Sequence, residues 1–136
     1  MTLVQLDTDI LSELIKLRNP QVLQHALTYV QKCGPLALSA ITRYEIVRGY
    51  KQNQATTQLA RFMIFCGNVL LLPVTESVLD RAADLWAFAR RNGHPHGDAD
   101  LIIAATALEN GRALVTGNTP HFAWVPGLTI ADWRQP

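Results

Sequence analysis

Leu3-Val4-Gln5-Leu6-Asp7-Thr8-Asp9 is the stretch that decides the fold of this chain. The run from Leu3 to Leu6 is short and mostly apolar, which is typical of a buried strand, and a helix is predicted to begin near Ile10. Asp7 therefore ends a buried strand. A carboxylate at such a place is expensive to desolvate, so solubility does not explain it and a function for it is expected.

The rest of the chain repeats this change from strand to helix. Asn19-Pro20 ends the first helix, and Gly and Pro residues punctuate the later segments. Further strands are predicted at 36–41, 69–72, 113–115 and 128–130, and further helices at about 22–33, 43–50, 55–66, 76–92 and 101–110. Strands that alternate with helices favour an α/β fold with a parallel sheet and helices on both faces. No linker or repeat is visible, so residues 1–136 are expected to form a single domain.

Two helices carry packing predictions. Residues 76–92 place Leu79, Ala82, Trp86 and Ala89 on one apolar stripe, which assigns Trp86 to the core. The helix from Leu101 to Asn110 is nearly all apolar and is expected to be buried on most sides.

Composition limits the classes of protein. The 136 residues are 49% hydrophobic and 17% charged, with a net charge of +1, so the chain is globular and charge alone does not hold it to nucleic acid. Cys33 and Cys66 are the only cysteines, which favours a reducing cytoplasm. No secretion leader is apparent, and the longest apolar stretch, 101–108, is too short for a membrane span, so no membrane partner is expected.

Four carboxylates fall near the carboxyl ends of the predicted strands, where open α/β sheets bind ligands. Asp7 follows the first strand, Glu45 lies in the first turn after the second, and Asp98 and Asp100 open the apolar helix before the fourth. Like charges at one edge repel each other unless a cation lies between them. Carboxylate oxygens suit Mg²⁺ or Mn²⁺.

Structural explanations compete for the same residues. Thr42 and Glu45 match a capping box, Asp98 can cap its helix after Gly97, and Asp7 or Asp9 can cap the first helix. The turn His94-Pro95-His96 offers a lesser alternative, a zinc site with Asp98 or Asp100. Arg43 and Arg48 are candidate phosphate contacts for RNA, although a solvated face explains each of them as well.

Four sequence blocks together resemble a PIN domain of the VapC toxin type. They are Leu6–Leu11, Ser39–Gly49, Gly97–Ala105 and Leu114–Asn118, and their order and spacing span nearly the whole chain. The resemblance implies a three-layer α/β/α fold with a central, mainly parallel sheet of four to five strands. It also implies a Mg²⁺-dependent endoribonuclease, the toxin of a type II toxin–antitoxin system, which forms a homodimer and is held inactive by a cognate antitoxin.

The resemblance also assigns the site. Asp7, Glu45 and Asp100 match the three acidic catalytic residues, with Asp7 and Asp100 as metal ligands. Asp9 stands where the family often has Asn, and it is a supporting residue together with three others: Asp98, Thr116 and Asn118. The family frequently has further acidic residues after the fourth strand, where this chain has Asn118 and His121. One tightly held ion, with a second arriving with substrate, is therefore expected.

Other functions remain open at this point. The missing acid at Asn118 allows a degenerate PIN domain that binds RNA or a partner without cleaving. Asp7-Thr8-Asp9 also fits a haloacid-dehalogenase-like phosphatase, in which Asp7 would form an aspartyl-phosphate, although no lysine follows Lys51 to serve the phosphate. A phospho-receiver module is disfavoured, because the chain has no Asp or Glu between Ile46 and Thr75.

Overall fold

The computed structural model describes residues 2–93 and 95–136. Strands and helices alternate through these residues, as the sequence predicts. The strands are β1 Val4–Leu6, β2 Ala37–Ser39, β3 Leu70–Leu72, β4 Ala113–Val115 and β5 Ile130–Ala131. The helices are α1 Thr8–Lys16, α2 Pro20–Cys33, α3 Ala40–Gln52, α4 Thr56–Cys66, α5 Glu76–Arg91, α6 Asp98–Glu109 and α7 Thr119–Phe122.

All strand pairs are parallel, which confirms the α/β prediction. One hydrogen-bonded group has the order β1-β4-β5, and the other pairs β2 with β3. β2 lies beside β1, so the two groups are neighbours. Leu6 is in register with Val115, and Asp7 N–H continues the ladder by donating to the Val115 carbonyl at 2.8 Å. The chain therefore leaves β1 and β4 at the same edge.

The helices form the outer layers of the fold. Along β4, Ala113 and Val115 belong to the apolar core shared with α1 and α2, whereas Leu114 belongs to the core shared with α5 and α6. This alternation buries both faces of the sheet, which is the α/β/α arrangement that the resemblance implies. The buried residues of α6 include Leu101 and the run from Ile103 to Ala107, as expected for an apolar helix.

The buried stripe of α5 differs from the prediction. Val78, Ala82, Leu85 and Ala89 face the core, while Trp86 is 43% exposed and stacks under the guanidinium of Arg90 at 4.5 Å. The assignment of Trp86 to the core was wrong. The helix is rotated by one residue relative to the predicted stripe, because Val78 and Leu85 provide an alternative apolar face.

Two predicted helix caps were also wrong. Ser39 caps α3 by accepting from Ile41 N–H at 3.2 Å, so Thr42 lies inside the helix and forms no capping box with Glu45. Gly97 is the cap residue of α6, so Asp98 is the first helical residue instead of the cap. Both carboxylates are therefore without the structural roles that competed with a function.

Buried polar contacts fix α6 against the sheet. Gln5 Nε2 donates to the carbonyl of Ile103 at 3.0 Å, and the hydroxyls of Ser39 and Thr106 lie 3.3 Å apart. A buried hydrogen bond is costly to break, so these contacts set the position of α6, and with it Asp100, relative to β1 and β2. Among the described residues, no helix has the length and apolar character to cross a membrane.

Candidate active site

Three of the four predicted carboxylates, Asp7, Glu45 and Asp100, meet in a pocket of about 340 Å³ at the carboxyl edge of the sheet. We call it the acidic pocket. It is lined by Asp7, Thr8, Asp9, Glu45, Asp100, Asn118, His121 and Phe122. The start of α1, α3, α6 and the segment after β4 thus contribute residues to one concave surface, as the topology of a parallel sheet requires.

Asp7 is the most buried of these acids, with 8% of its surface exposed. Its Oδ1 accepts from Thr8 N–H and its Oδ2 accepts from the Thr116 hydroxyl, both at 2.8 Å. Its pKa is raised to about 6, chiefly by burial and in smaller part by the charges of Asp9 and Asp100, against the opposing effect of the two hydrogen bonds. Asp7 does cap α1. Capping does not explain its burial beside other acids, which is electrostatically unfavourable without a cation.

Asp100 faces the pocket from the first turn of α6. Its Oδ2 lies 2.6 Å from Nε2 of His121, a residue of α7. A carboxylate only accepts hydrogen bonds, so the imidazole donates here. Asp98, two residues earlier, is exposed and does not line the pocket, because residues two apart lie on different faces of a helix.

Glu45 joins the pocket from α3. Its Oε1 accepts from the Thr8 hydroxyl at 3.2 Å, and its Oε2 lies 3.7 Å from the Arg48 guanidinium. Arg48 also lies over the ring of Tyr44 at 5.1 Å, which places one cation at the rim. Arg43 points elsewhere, since its guanidinium donates to Met63 Sδ on α4 at 3.2 Å.

Asp9 belongs to a different network from Asp7. Its Oδ2 accepts from Gly117 N–H at 3.0 Å and lies 3.6 Å from the Arg134 guanidinium, which also pairs with Glu13 at 2.8 Å. These ion pairs raise the pKa of Arg134. Asp9 is thus occupied in joining the loop after β4 to residue 134. The phosphatase alternative needs both acids of Asp7-Thr8-Asp9 at the substrate, whereas Asp9 is already bound to Gly117 and Arg134.

Thr116 and Asn118 connect β4 to the pocket. Thr116 is buried, and its hydroxyl donates to Asp7 while accepting from Asn118 N–H at 3.1 Å. The Asn118 carbonyl accepts from His121 N–H at 3.0 Å, which fixes the start of α7. Thr116 therefore orients Asp7, and Asn118 orients the segment that carries His121.

The zinc alternative receives no support from the part that the structure describes. His94 lies outside the described residues. His96 stacks on the ring of Trp124 at a centroid distance of 4.6 Å and contacts the edge of His121 at 4.9 Å.

Two residues with contacts to the site acids were not predicted from the sequence. His121 was noted only as a departure from the family, and Arg134 was not considered. Both act through contacts between remote parts of the chain, and no local spacing signals them. For Arg134, the glycine at position 117 is the one hint that the sequence offers, because a Cβ at that position would overlap the guanidinium.

A hard divalent cation fits the donor set of the acidic pocket. The donors are carboxylate oxygens, and burial together with neighbouring negative charge makes the ionised form of Asp7 unfavourable. In residues 2–93 and 95–136, no group of three or more His, Cys, Asp and Glu side chains is arranged to hold a metal ion. Asp100 is hydrogen-bonded to His121, so its carboxylate would take up its position as a metal ligand only when an ion binds.

Comparisons with known proteins agree with this geometry. The PIN domain family matches residues 4–125. The tRNA(fMet)-specific endonuclease VapC of Shigella flexneri is 30% identical over 101 residues, which cover 74% of this chain and 76% of that protein. Ribonuclease VapC10 of Mycobacterium tuberculosis is 29% identical over 120 residues, covering 88% and 86% of the two chains.

A solved structure extends the similarity over nearly the whole fold. The DNA-bound VapBC structure from Salmonella typhimurium contains a chain with a TM-score of 0.87 and 26% identity, covering 98% of this chain and 99% of that one. The chain therefore belongs to the PIN domain family and, within it, to the VapC type of ribonuclease toxin.

Proposed function

We propose that this protein cleaves RNA phosphodiester bonds in the acidic pocket with the help of Mg²⁺, which Asp7 and Asp100 hold. The same oxygen donors accept Mn²⁺. When bound there, the ion supplies Lewis-acid activation of water and stabilises the negative charge that builds up on the phosphate. Asp7, Glu45 and Asp100 are the catalytic residues.

One observation carries this proposal. Asp7, Glu45 and Asp100 come from three separate segments of the chain, and the fold places all of them in one pocket. The pKa of Asp7 is raised to about 6, chiefly by burial. Capping of α1 does not require a carboxylate that is buried beside other acids, and a ligand of opposite charge explains this burial.

The neighbouring side chains have supporting roles. Thr116 keeps Asp7 in one orientation, and Thr8 does the same for Glu45, which orients the attacking water or holds a second ion. Asn118 offers an amide oxygen at the rim of the pocket. Arg48 can exchange its 3.7 Å contact with Glu45 for a substrate phosphate, because a weak exposed ion pair is easily replaced.

The decisive experiment compares two neighbouring aspartates of α6. Purified Asp100→Asn protein should lose RNA cleavage, while Asp98→Asn, which changes an exposed carboxylate outside the pocket, should keep it. Cleavage by the wild type should require added Mg²⁺ and stop with EDTA. A pure wild-type protein that binds RNA without cutting it, with Mg²⁺ present, would instead establish the degenerate PIN domain.

The substrate is proposed from a relative. The name of the Shigella flexneri protein specifies tRNA(fMet). A transfer RNA offers single-stranded loops, whose bases and phosphates are more accessible than those of a duplex. Transfer RNA is thus the first substrate to assay, with ribosomal and messenger RNA as comparisons, and cleavage takes place in the cytoplasm.

An antitoxin is the proposed protein partner. Solved relatives include VapBC structures from Salmonella typhimurium and nontypeable Haemophilus influenzae, which match nearly the whole of this chain. On this chain, an apolar groove of about 410 Å³ lies between α1, α2 and α4 and leaves Leu17 69% and Leu27 52% exposed. Exposed apolar grooves of this kind mark interaction sites. The groove receives an apolar segment of the antitoxin.

The groove assignment has its own test. The chain is co-expressed with the product of the reading frame immediately upstream, and the complex is isolated. Leu27→Asp should abolish co-purification, whereas Ile64→Asp, at a 72% exposed site outside the groove, should leave it intact. Equal recovery of both variants would place the antitoxin elsewhere. Sedimentation of the isolated chain tests the homodimer, which should have twice the mass of one copy.

A further inference from the structure

The contact between His121 and Asp100 has a consequence for metal choice. We propose that His121 Nε2 is a nitrogen ligand of the ion in the acidic pocket. This site therefore prefers Mn²⁺ over Mg²⁺ more strongly than a site with carboxylate ligands alone does. This inference rests on the proposed metal-dependent function and adds a ligand to it.

The His121 and Asp100 side chains lie close enough to share one ion. Nε2 of His121 lies 2.6 Å from Oδ2 of Asp100, and both side chains line the acidic pocket. Adjacent ligands of an octahedral ion with bonds of about 2.1 Å lie about 3 Å apart. A separation of a few tenths of an ångström would therefore bring the pair to the spacing of two neighbouring ligands. Nε2 would then have to give up the hydrogen that it donates to Asp100, and the neutral ring would keep its hydrogen on Nδ1.

The imidazole of His121 is held in place by its neighbours. The ring packs at its edges against His96 and Phe122, with centroid distances of 4.9 and 5.3 Å. The backbone is fixed too, since His121 N–H donates to the Asn118 carbonyl and its own carbonyl accepts from Trp124 Nε1 at 2.9 Å. A side chain that is already aimed at the site loses little freedom when it binds an ion.

The ligand chemistry of imidazole favours Mn²⁺ over Mg²⁺. An imidazole nitrogen is a good ligand for transition ions and a poor one for Mg²⁺, which prefers oxygen. Asp7 and Asp100 alone supply only hard oxygen donors. Adding one nitrogen to this set shifts the relative affinity towards Mn²⁺ without removing any oxygen that Mg²⁺ uses.

The test is spectroscopic and independent of cleavage. Mn²⁺ is titrated into the full chain, and electron spin-echo modulation detects any nitrogen bound directly to the ion. The wild type should show nitrogen coupling, and His121→Leu and His121→Glu should lose it. Asp100→Asn should reduce binding of Mn²⁺ in every background. His25→Leu is the matched control, because His25 lies against Trp133 and its ring contacts the Gln135 carbonyl, outside the acidic pocket.

Calorimetry gives the second measurement. The dissociation constant for Mg²⁺ divided by that for Mn²⁺ measures the preference for Mn²⁺. This quotient should fall at least about tenfold in His121→Glu, which replaces the nitrogen ligand by oxygen. Bound Mn²⁺ without nitrogen coupling, or coupling that survives in His121→Leu, would overturn the role of His121 and leave the proposed function intact. A wild-type chain that binds neither ion would overturn the metal-dependent function itself.

Discussion

Asp7 and Asp9 lie two residues apart at the end of β1, and the fold gives them opposite surroundings. Asp9 has a resident cation, Arg134, which it shares with Glu13. Among the described residues, Asp7 forms no ion pair, although it is more buried and close to Asp100. The chain thus supplies a counter-ion to Asp9, which links two parts of the fold, and among the described residues it supplies none to Asp7, the most buried acid of the pocket. The difference distinguishes a structural acid from one that awaits an external cation.

The largest expected effect is on catalysis by the two aspartates. Asp7→Asn should lower RNA cleavage by at least about a thousandfold, because the proposed metal ligand is lost. Asp9→Asn should stay within about tenfold of the wild type, because the amide oxygen can still accept from Gly117 N–H. Initial rates with one RNA substrate and saturating Mg²⁺ provide the measurement.

Equal losses in both variants would remove the distinction between the two acids. Circular dichroism should show both variants folded, so that a loss of cleavage reports on the site.

The second prediction concerns stability and pH in the absence of metal. The pKa of Asp7 is about 6 in the folded chain and 3.8 as an unperturbed group, so the folded state holds a proton that the unfolded state releases. Stability from this group is therefore complete below about pH 4 and is lost as the pH rises through 6. The difference corresponds to about 3 kcal/mol as an upper figure.

The measurement is the free energy of unfolding by urea in EDTA, from pH 4 to 8. As the pH rises over this range, the free energy of unfolding of Asp7→Asn should increase relative to that of the wild type by up to about 3 kcal/mol, since an amide carries no charge to desolvate. A constant difference between the two proteins at all pH values would show that burial of Asp7 is not electrostatically unfavourable.

The third prediction addresses the Arg134 side of the comparison. Gly117→Ala should lower the free energy of unfolding by about 1–2 kcal/mol, because the new Cβ displaces the guanidinium from Asp9 and Glu13. In an Arg134→Ala background the same change should be nearly neutral. A double-mutant cycle of urea unfolding measures this coupling, and additive effects would refute the contact.

Sequence reasoning located the acidic pocket because its acids follow local signals. Asp7 directly ends an apolar run, and Asp100 opens an apolar helix, so parallel topology alone brings them to one edge. The caps were harder, because Ser39 and Thr42 both offer a hydroxyl. Ser39 reaches Thr106 on α6, a contact between residues far apart in the sequence, and so β2 ends earlier than the local pattern indicates.

The same limit explains the remaining errors. On α5, Val78 with Leu85 and Leu79 with Trp86 form alternative apolar stripes, and only packing against α6 selects between them. His121 and Arg134 gain their roles from Asp100 and Asp9, residues that are remote in the sequence. Local periodicity carries no information about such pairs.

The smallest expected effect is at the rim of the acidic pocket. Arg48→Gln should change the free energy of unfolding by less than about 0.5 kcal/mol, because its contact with Glu45 is long and exposed. RNA affinity should fall several-fold at low salt and hardly at all at high salt, as expected for a phosphate contact. Filter binding of RNA to the Asp7→Asn protein, with and without this change, separates binding from cleavage. A loss of affinity that is independent of salt would exclude a phosphate contact.

The pairing of β1 with β4 determines when the active site forms during synthesis and folding. The hydrogen bond between Asp7 and Thr116 spans 109 positions of the chain, and the strands that align them are only three residues long. Such long-range closure is slow compared with helix formation. A nascent polypeptide that has emerged from the ribosome only as far as α5 therefore carries Asp7 and Glu45 without Asp100 or Thr116, and the acidic pocket forms only after α6 and β4 have emerged and folded.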